Sequence, residues 1–187
     1  MTAARKIGVH EEFLAVPDTK IAQVVAGELH VHPRPRAIHA MVSSGLTGEL
    51  LSPFQRGRGD GPGGWILLYE PELHLGGDIL VPDLAGWRRT RMPEMPDVAF
   101  FDLAPDWICE VLSPSTAKLD RGKKLSAYGR EGVPVVWFID PDAHTLEVLT
   151  RGDDGRYTLA AVHSDDEIVH AVPFEVFALE LSVLWAR

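Results

Sequence analysis

The sequence predicts a mixed α/β (α+β) fold, a central sheet flanked by helices, and three observations predict it. Two short apolar runs bounded by turn signals, residues 107–112 (WICEVL) and 134–139 (PVVWFI), read as buried strands, and residues 118–130 between them read as a helix. That order is a strand–helix–strand crossover, which brings the two strands side by side in parallel. The alternation of HTLEVLT and RYTLAAV about residues 152–155 marks a hairpin. Apolar residues Ile38, Met41, Val42, Leu46 and Leu50 recur at steps of three and four, so residues 37–52 form a helix packed by one face. Gly45 and Gly48 either weaken that helix or admit a close neighbour.

The other elements follow in chain order. Residues 1–20 form a lead-in with a short helix over 10–14 and a turn at Pro17-Asp18. Residues 22–32 make two extended pieces around Gly27, a strand pair at a sheet edge, stopped by Pro33 and Pro35. The glycine-rich stretch SPFQRGRGDGPGGW is a flexible loop, basic at Arg56 and Arg58. Residues 65–69, 73–75 and 79–87 read as strands of a meander turning at Gly76-Gly77, and WRRTRMPEMP follows as a basic, proline-marked loop. The chain closes on an apolar LELSVLW segment.

With 187 residues, 45% of them hydrophobic and 24% charged, the chain has the composition of one ordinary soluble domain, here residues 21–187 after the lead-in. Cys109 is the single cysteine, which excludes an internal disulfide and fits a cytoplasmic location. No apolar run approaches the roughly 20 residues that cross a bilayer, so no membrane role is expected. A formal net charge of -9 repels polyanions at long range, so contact with nucleic acid has to be local or assisted by a cation.

The sequence has no GxxxxGK[ST] loop, GxSxG elbow or HExxH helix, which removes P-loop hydrolysis and serine esterase chemistry. What remains is Asp83 in VPDL, Glu110 in WICEVL and Lys124 in the helix that follows. Carboxylates at neighbouring strand ends suit Mg²⁺, which takes oxygen ligands and keeps several waters. Strand alternation puts Glu110 on the face of Ile108 and Leu112, where a charge among apolar neighbours needs a partner. Asp120, Lys124 and Tyr128 are four apart and share a helix face. The same residues also fit a plain structural pairing of Glu110 with Lys123 or Lys124.

Other candidates carry weaker signals. His30 and His32 share a strand face, but no acidic third ligand stands beside them and a solvated edge explains them better. Glu70 and Glu72 read as one strand face, from which Glu72 faces the cavity of Asp83 across the Gly76-Gly77 turn, or as an exposed face. Cys109 is a buried filler, and Trp107 and Trp137 are core residues before they are stacking platforms for bases.

The order GEL, PRPRAIH, ILVPDLAGW and DWICEVLSPSTAKLDRGKKLSAYGREGVPVVWFIDP resembles the bacterial Uma-type family of restriction-endonuclease-like proteins, from about Gly27 to Trp185. Its most specific part is EVLSPST followed by Asp120-Arg121, a lysine, a tyrosine and GVPVVWFIDP. The resemblance implies a restriction-endonuclease-like mixed central sheet, a single PD-(D/E)XK nuclease-like domain, and a Mg²⁺- or Mn²⁺-dependent phosphodiesterase acting on DNA. It maps Asp83 onto the PD aspartate, Glu110 onto the second acid, and Lys124 onto a lysine that has moved from strand to helix. Leu112 stands where the superfamily has its motif lysine, so either Lys124 does that work or the site is impaired. Glu28 and His39 match further family positions, Glu28 as an extra metal ligand.

On this reading Asp83, Glu110 and the Val111 carbonyl hold the metal, while Lys124 orients the water or stabilises charge on the phosphate. Arg56, Arg58, Arg88, Arg89 and Arg91 are the expected DNA contacts. The alternative from another class is a catalytically impaired nuclease-fold binding module. Pairing into a homodimer through the hairpin and LELSVLW is compatible with both.

Overall fold

The computed structural model describes residues 8–17, 19–32, 35–59 and 61–185. The expected turn residue Asp18, the strand-stopping Pro33, the first seven residues of the lead-in and the last two of the chain lie outside the described residues. Helix α1 (Val9–Leu14) precedes β1 (Ile21–Val25), β2 (Glu28–His32) and α2 (Ala37–Leu50), which runs on into a π-helical turn over Leu51–Gln55. Then come β3 (Trp65–Tyr69), β4 (Leu73–Leu75), β5 (Asp78–Leu80), β6 (Leu84–Arg88) and β7 (Trp107–Val111). A helical stretch follows: α3 (Ala117–Leu119), a π-helical turn (Asp120–Lys124) and α4 (Leu125–Arg130). The chain ends with β8 (Val135–Asp140), β9 (Thr145–Arg151), β10 (Tyr157–Ser164), the short pair β11 (Ile168–Val169) and β12 (Leu179–Glu180), and a 3-10 turn over Leu181–Leu184.

The larger sheet has the order β10-β9-β8-β7-β6-β3. Within it β7 and β8 are parallel and the other pairs antiparallel, which is the crossover and hairpin read from the sequence. Alternation along β7 sorts its side chains as expected. Trp107, Cys109 and Val111 pack with Val42, Leu46 and Leu50 of α2. Ile108 and Leu112 face Ala127 and Tyr128 of α4. Trp107, Trp137 and Phe174 meet edge to face in the first layer, with Trp107 and Trp137 centroids 5.2 Å apart. Cys109, Trp107 and Trp137 are therefore core residues.

A smaller sheet, β2-β1-β5-β4, stands beside it. Its hairpins turn at Ala26-Gly27 and Gly76-Gly77, all four residues at positive φ, which matches the twist that two-residue hairpins require. Ala26 is not glycine, and its N–H donates to Asp78 Oδ1 at 2.7 Å while Arg130 holds Oδ2 at 2.6 Å, so the turn is tied to α4.

Four expectations are corrected. Residues 79–87 are not one strand: Val81-Pro82-Asp83 carries the chain from the small sheet to the large one, because Pro82 has no N–H for a ladder. The meander is likewise replaced, since β3 pairs with β6 while β4 pairs with β5. The buried stripe of α2 is His39, Val42, Ser43, Leu46 and Leu50, and Met41 is 37% exposed. An apolar count misses the histidine and serine that share this face. Finally, residues 51–55 are helical rather than loop and bury Phe54.

The segment 179–185 buries Leu179, Leu181, Leu184 and Trp185 in this chain's own core. Gly45 admits the close neighbour: a Cβ there would stand 3.2 Å from the Val183 carbonyl.

Candidate active site

Strand β6 begins with Leu84 opposite Cys109, so Asp83, one residue earlier, stands beside the 110–111 end of β7. There the Val111 N–H donates to Asp83 Oδ2 at 2.6 Å. The other oxygen, Oδ1, lies 3.1 Å from Nε2 of His39 in the first turn of α2. The ring's other nitrogen, Nδ1, is buried without a hydrogen-bond partner. Burial disfavours charge on His39, but the hydrogen bond and charge of Asp83, with Val111, prevail and raise its pKa.

Glu110 points to the opposite layer, as alternation requires. It is 2% exposed and lies against Lys124, itself 2% exposed, which reaches both carboxylate oxygens at 2.7 and 2.8 Å. Tyr128 donates its hydroxyl to Oε1 at 2.5 Å. Lys124 also touches Asp120 at 3.2 Å and the Val81 carbonyl at 3.3 Å. Burial raises the Glu110 carboxyl to about 8 against the pull of Lys124. Burial opposes the Lys124 charge too, but Glu110 and Asp120 hold it above the ordinary lysine value. Lys124 is thus a fixed cation, not a base.

These groups line one cavity of about 260 Å³. Asp83, Glu110, Lys124, Asp120 and His39 share it with His32, and Arg36 stands at its rim. Three carboxyl groups, those of Asp83, Glu110 and Asp120, thus line it together with the buried ammonium of Lys124 and the imidazole of His39. The π-helical turn that supplies Asp120 and Lys124 is a feature that recurs at functional sites.

The structure thus brings together Asp83, Glu110, Val111 and Lys124. It does not bring Glu28 to them: Glu28 is exposed and ion-paired with Lys123 at 2.6 Å, so the expected extra metal ligand is corrected. Of two adjacent lysines, Lys124 turns inward and Lys123 outward. Glu70 and Glu72 are not on one strand face; they lie in the bend after β3, and Glu72 pairs with His74 at 2.7 Å outside the cavity of Asp83. His39 is the residue whose place here the sequence reading left unassigned, and its spacing with Val42, Ser43 and Leu46 was the available signal.

The basic loops lie elsewhere. Arg88 ends the strand that Asp83 precedes, about 17 Å away at the usual rise per residue. Arg89 N–H bonds Gly64 at the end of the glycine-rich loop, so Arg56 and Arg58 belong to the segment that reaches the sheet at that same far end. Arg91 is paired with Asp106 at 3.0 Å, and Arg88 lies over Trp65.

Fit to a divalent ion rests on the donors themselves. The imidazole Nε2 of His39 lies 3.1 Å from the Asp83 carboxylate, and Val111 and Glu110 line the same cavity. The carboxylates and the Val111 carbonyl are oxygen donors of the kind Mg²⁺ or Mn²⁺ takes, whereas the imidazole of His39 suits softer ions. As they stand, no three His, Cys, Asp or Glu side chains among the described residues form a ligand group, and both Glu110 oxygens are held by Lys124 and Tyr128.

Mixed sheet, parallel crossover and acidic strand end together define a restriction-endonuclease-like fold. A family model described as "Uma2: Putative restriction endonuclease" matches residues 10–183, and the chain belongs to that family. A solved structure described as a "putative nuclease belonging to DUF820" from Anabaena variabilis ATCC 29413 is similar over 96% of this chain and 97% of its own, with a TM-score of 0.76 and 24% identity. No curated protein matches the chain. No helix among the described residues is long and apolar enough to cross a membrane.

Proposed function

We propose that the chain is a divalent-metal-dependent endonuclease that hydrolyses phosphodiester bonds of DNA. The observation that carries this is the convergence of Asp83, the Val111 carbonyl and Glu110 at one strand end, in the family whose description names restriction endonucleases. Asp83, Val111 and Glu110 would hold the Mg²⁺ or Mn²⁺, with His39 beside them. The bound ion would polarise the phosphate and acidify a water. Lys124, permanently charged, holds Glu110 in place and offsets negative charge that grows on the phosphate. Arg36 at the rim is the cation placed to meet a neighbouring phosphate.

The commitment of both Glu110 oxygens to Lys124 and Tyr128 favours a second reading, an impaired nuclease-fold module that binds without cutting. Cleavage of supercoiled plasmid and single-stranded DNA with Mg²⁺ or Mn²⁺ separates the two. Cleavage by wild type that is lost in Asp83→Asn and Glu110→Gln supports the enzyme; binding without cleavage supports the module.

A further inference from the structure

Beside its acids the cavity carries a cluster of hydroxyl groups: Ser113, Ser115 and Thr116, in the turn after β7, line it together with Arg36, the residue before α2. Two bonds bring these segments together. The Leu112 N–H donates to the Ile139 carbonyl at 2.7 Å, which sets the start of the turn beside the end of β8. Arg36 reaches Asp142, just past that strand end, at 3.4 Å. Both partners are largely exposed, and a pair of that kind contributes little, so the guanidinium is available to a stronger anion.

The hydroxyls bond mainly to one another. Ser113 Oγ lies 3.0 Å from Ser115 Oγ and 2.9 Å from Thr116 Oγ1. Three hydroxyls carry three hydrogens, and these two bonds use two of them. No other side chain or backbone group among the described residues bonds these oxygens, which leaves one O–H to donate outward. Thr116 holds the cap position before α3, where a threonine hydroxyl commonly accepts a helix N–H, yet it makes no such bond. Ser115 is exposed and Ser113 and Thr116 are half-buried, so the cluster is open to a solute.

This group suits an anion with several oxygens. The guanidinium only donates, in a fork that matches phosphate oxygens, and the remaining O–H adds a further donor. The nearest helix acid, Asp120, is paired with Lys124 at 3.2 Å. We propose that Arg36, Ser115 and Thr116 form a binding site for one backbone phosphate of a DNA strand, the neighbour of the phosphate that is cut; the proposal rests on the reading of DNA as substrate above. Ser113 links the other two hydroxyls and orients them. The phosphate displaces Asp142 from Arg36, and the strand is held with its next phosphodiester at the acidic end of β7. None of these residues takes part in bond breaking.

The test measures binding of labelled DNA oligonucleotides to the full chain by fluorescence anisotropy, with Ca²⁺ in place of Mg²⁺ and one uncharged methylphosphonate placed at each position in turn. Wild type is compared with Arg36→Gln and with the double variant Ser115→Ala, Thr116→Val. The expected result is one position at which the methylphosphonate weakens wild-type binding about tenfold and weakens binding by both variants less than about threefold. A structural role would lower affinity without regard to position, so equal methylphosphonate losses in wild type and variants at every position overturn the proposal. Coupling of Arg36 and of the hydroxyls to different positions overturns it as well. Inorganic phosphate that raises the melting temperature of wild type but not of the double variant, with no coupling to any strand position, also overturns it, since the site then serves a free anion. No binding of unmodified DNA by wild type removes the DNA reading first, and this proposal with it.

Discussion

Lys124 spans both carboxylate oxygens of Glu110 at 2.7 and 2.8 Å, from the last residue of a π-helical turn to the last-but-one residue of a buried strand. The two groups are buried together, and Asp120 and Tyr128 complete the network. Such a pair adds little net stability when intact, but breaking it leaves a charge buried and unpaired.

Lys124→Met should therefore destabilise the fold by about 3–5 kcal/mol. Adding Glu110→Gln should recover part of that loss. Urea denaturation of the two single variants and the double variant checks the coupling: additive losses would deny the pair.

The raised pKa of Glu110, about 8 against an ordinary 4.5, sets a pH dependence. Between those values the folded chain holds a proton that the unfolded chain has released. The contribution to stability is thus full below about 4.5 and is lost as pH rises through 8. Denaturation midpoints measured across that window should fall with pH more steeply for wild type than for Glu110→Gln.

On the proposed reading, an incoming ion competes with the His39 proton for Asp83 and favours the ionised form of Glu110. Mn²⁺ titrations in two buffers of different ionisation enthalpy should show proton release, with affinity that strengthens as pH rises toward 8. Identical heats in both buffers would contradict this.

The distribution of arginines separates rim from periphery. Arg36→Ala should weaken DNA binding and reduce the slope of log affinity against log salt by about one. Arg56→Ala and Arg58→Ala, at the far end of the sheet, should leave cleavage within about twofold of wild type. Anisotropy titrations at several salt concentrations, run beside the cleavage assay, distinguish the two sets.

Much of this site was legible before the fold. The crossover of β7 and β8 and the facing of Glu110 toward the helix follow from a period of two in an apolar strand, a strong local signal. The break at Val81-Pro82-Asp83 was not legible, because an apolar run with one proline reads equally as a single strand with an irregular edge. Missing that break also hid that Asp83 and Arg88 stand at opposite ends of β6. His39 was named by resemblance alone because apolar periodicity does not register a polar residue on a buried face, and Glu28, also named by resemblance, pairs with Lys123 at the surface. Those choices are made by contacts far apart in sequence: Asp83 with His39, and Lys124 with Glu110.

The most direct test of the account follows bound Mn²⁺ by electron paramagnetic resonance and plasmid cleavage in the same samples of wild type, Asp83→Asn and Glu110→Gln. The account predicts one bound ion per chain in wild type, with ion and cleavage lost together in Asp83→Asn and strongly reduced together in Glu110→Gln. Cleavage that persists in Asp83→Asn, or a wild type that neither binds Mn²⁺ nor cuts DNA, would contradict it.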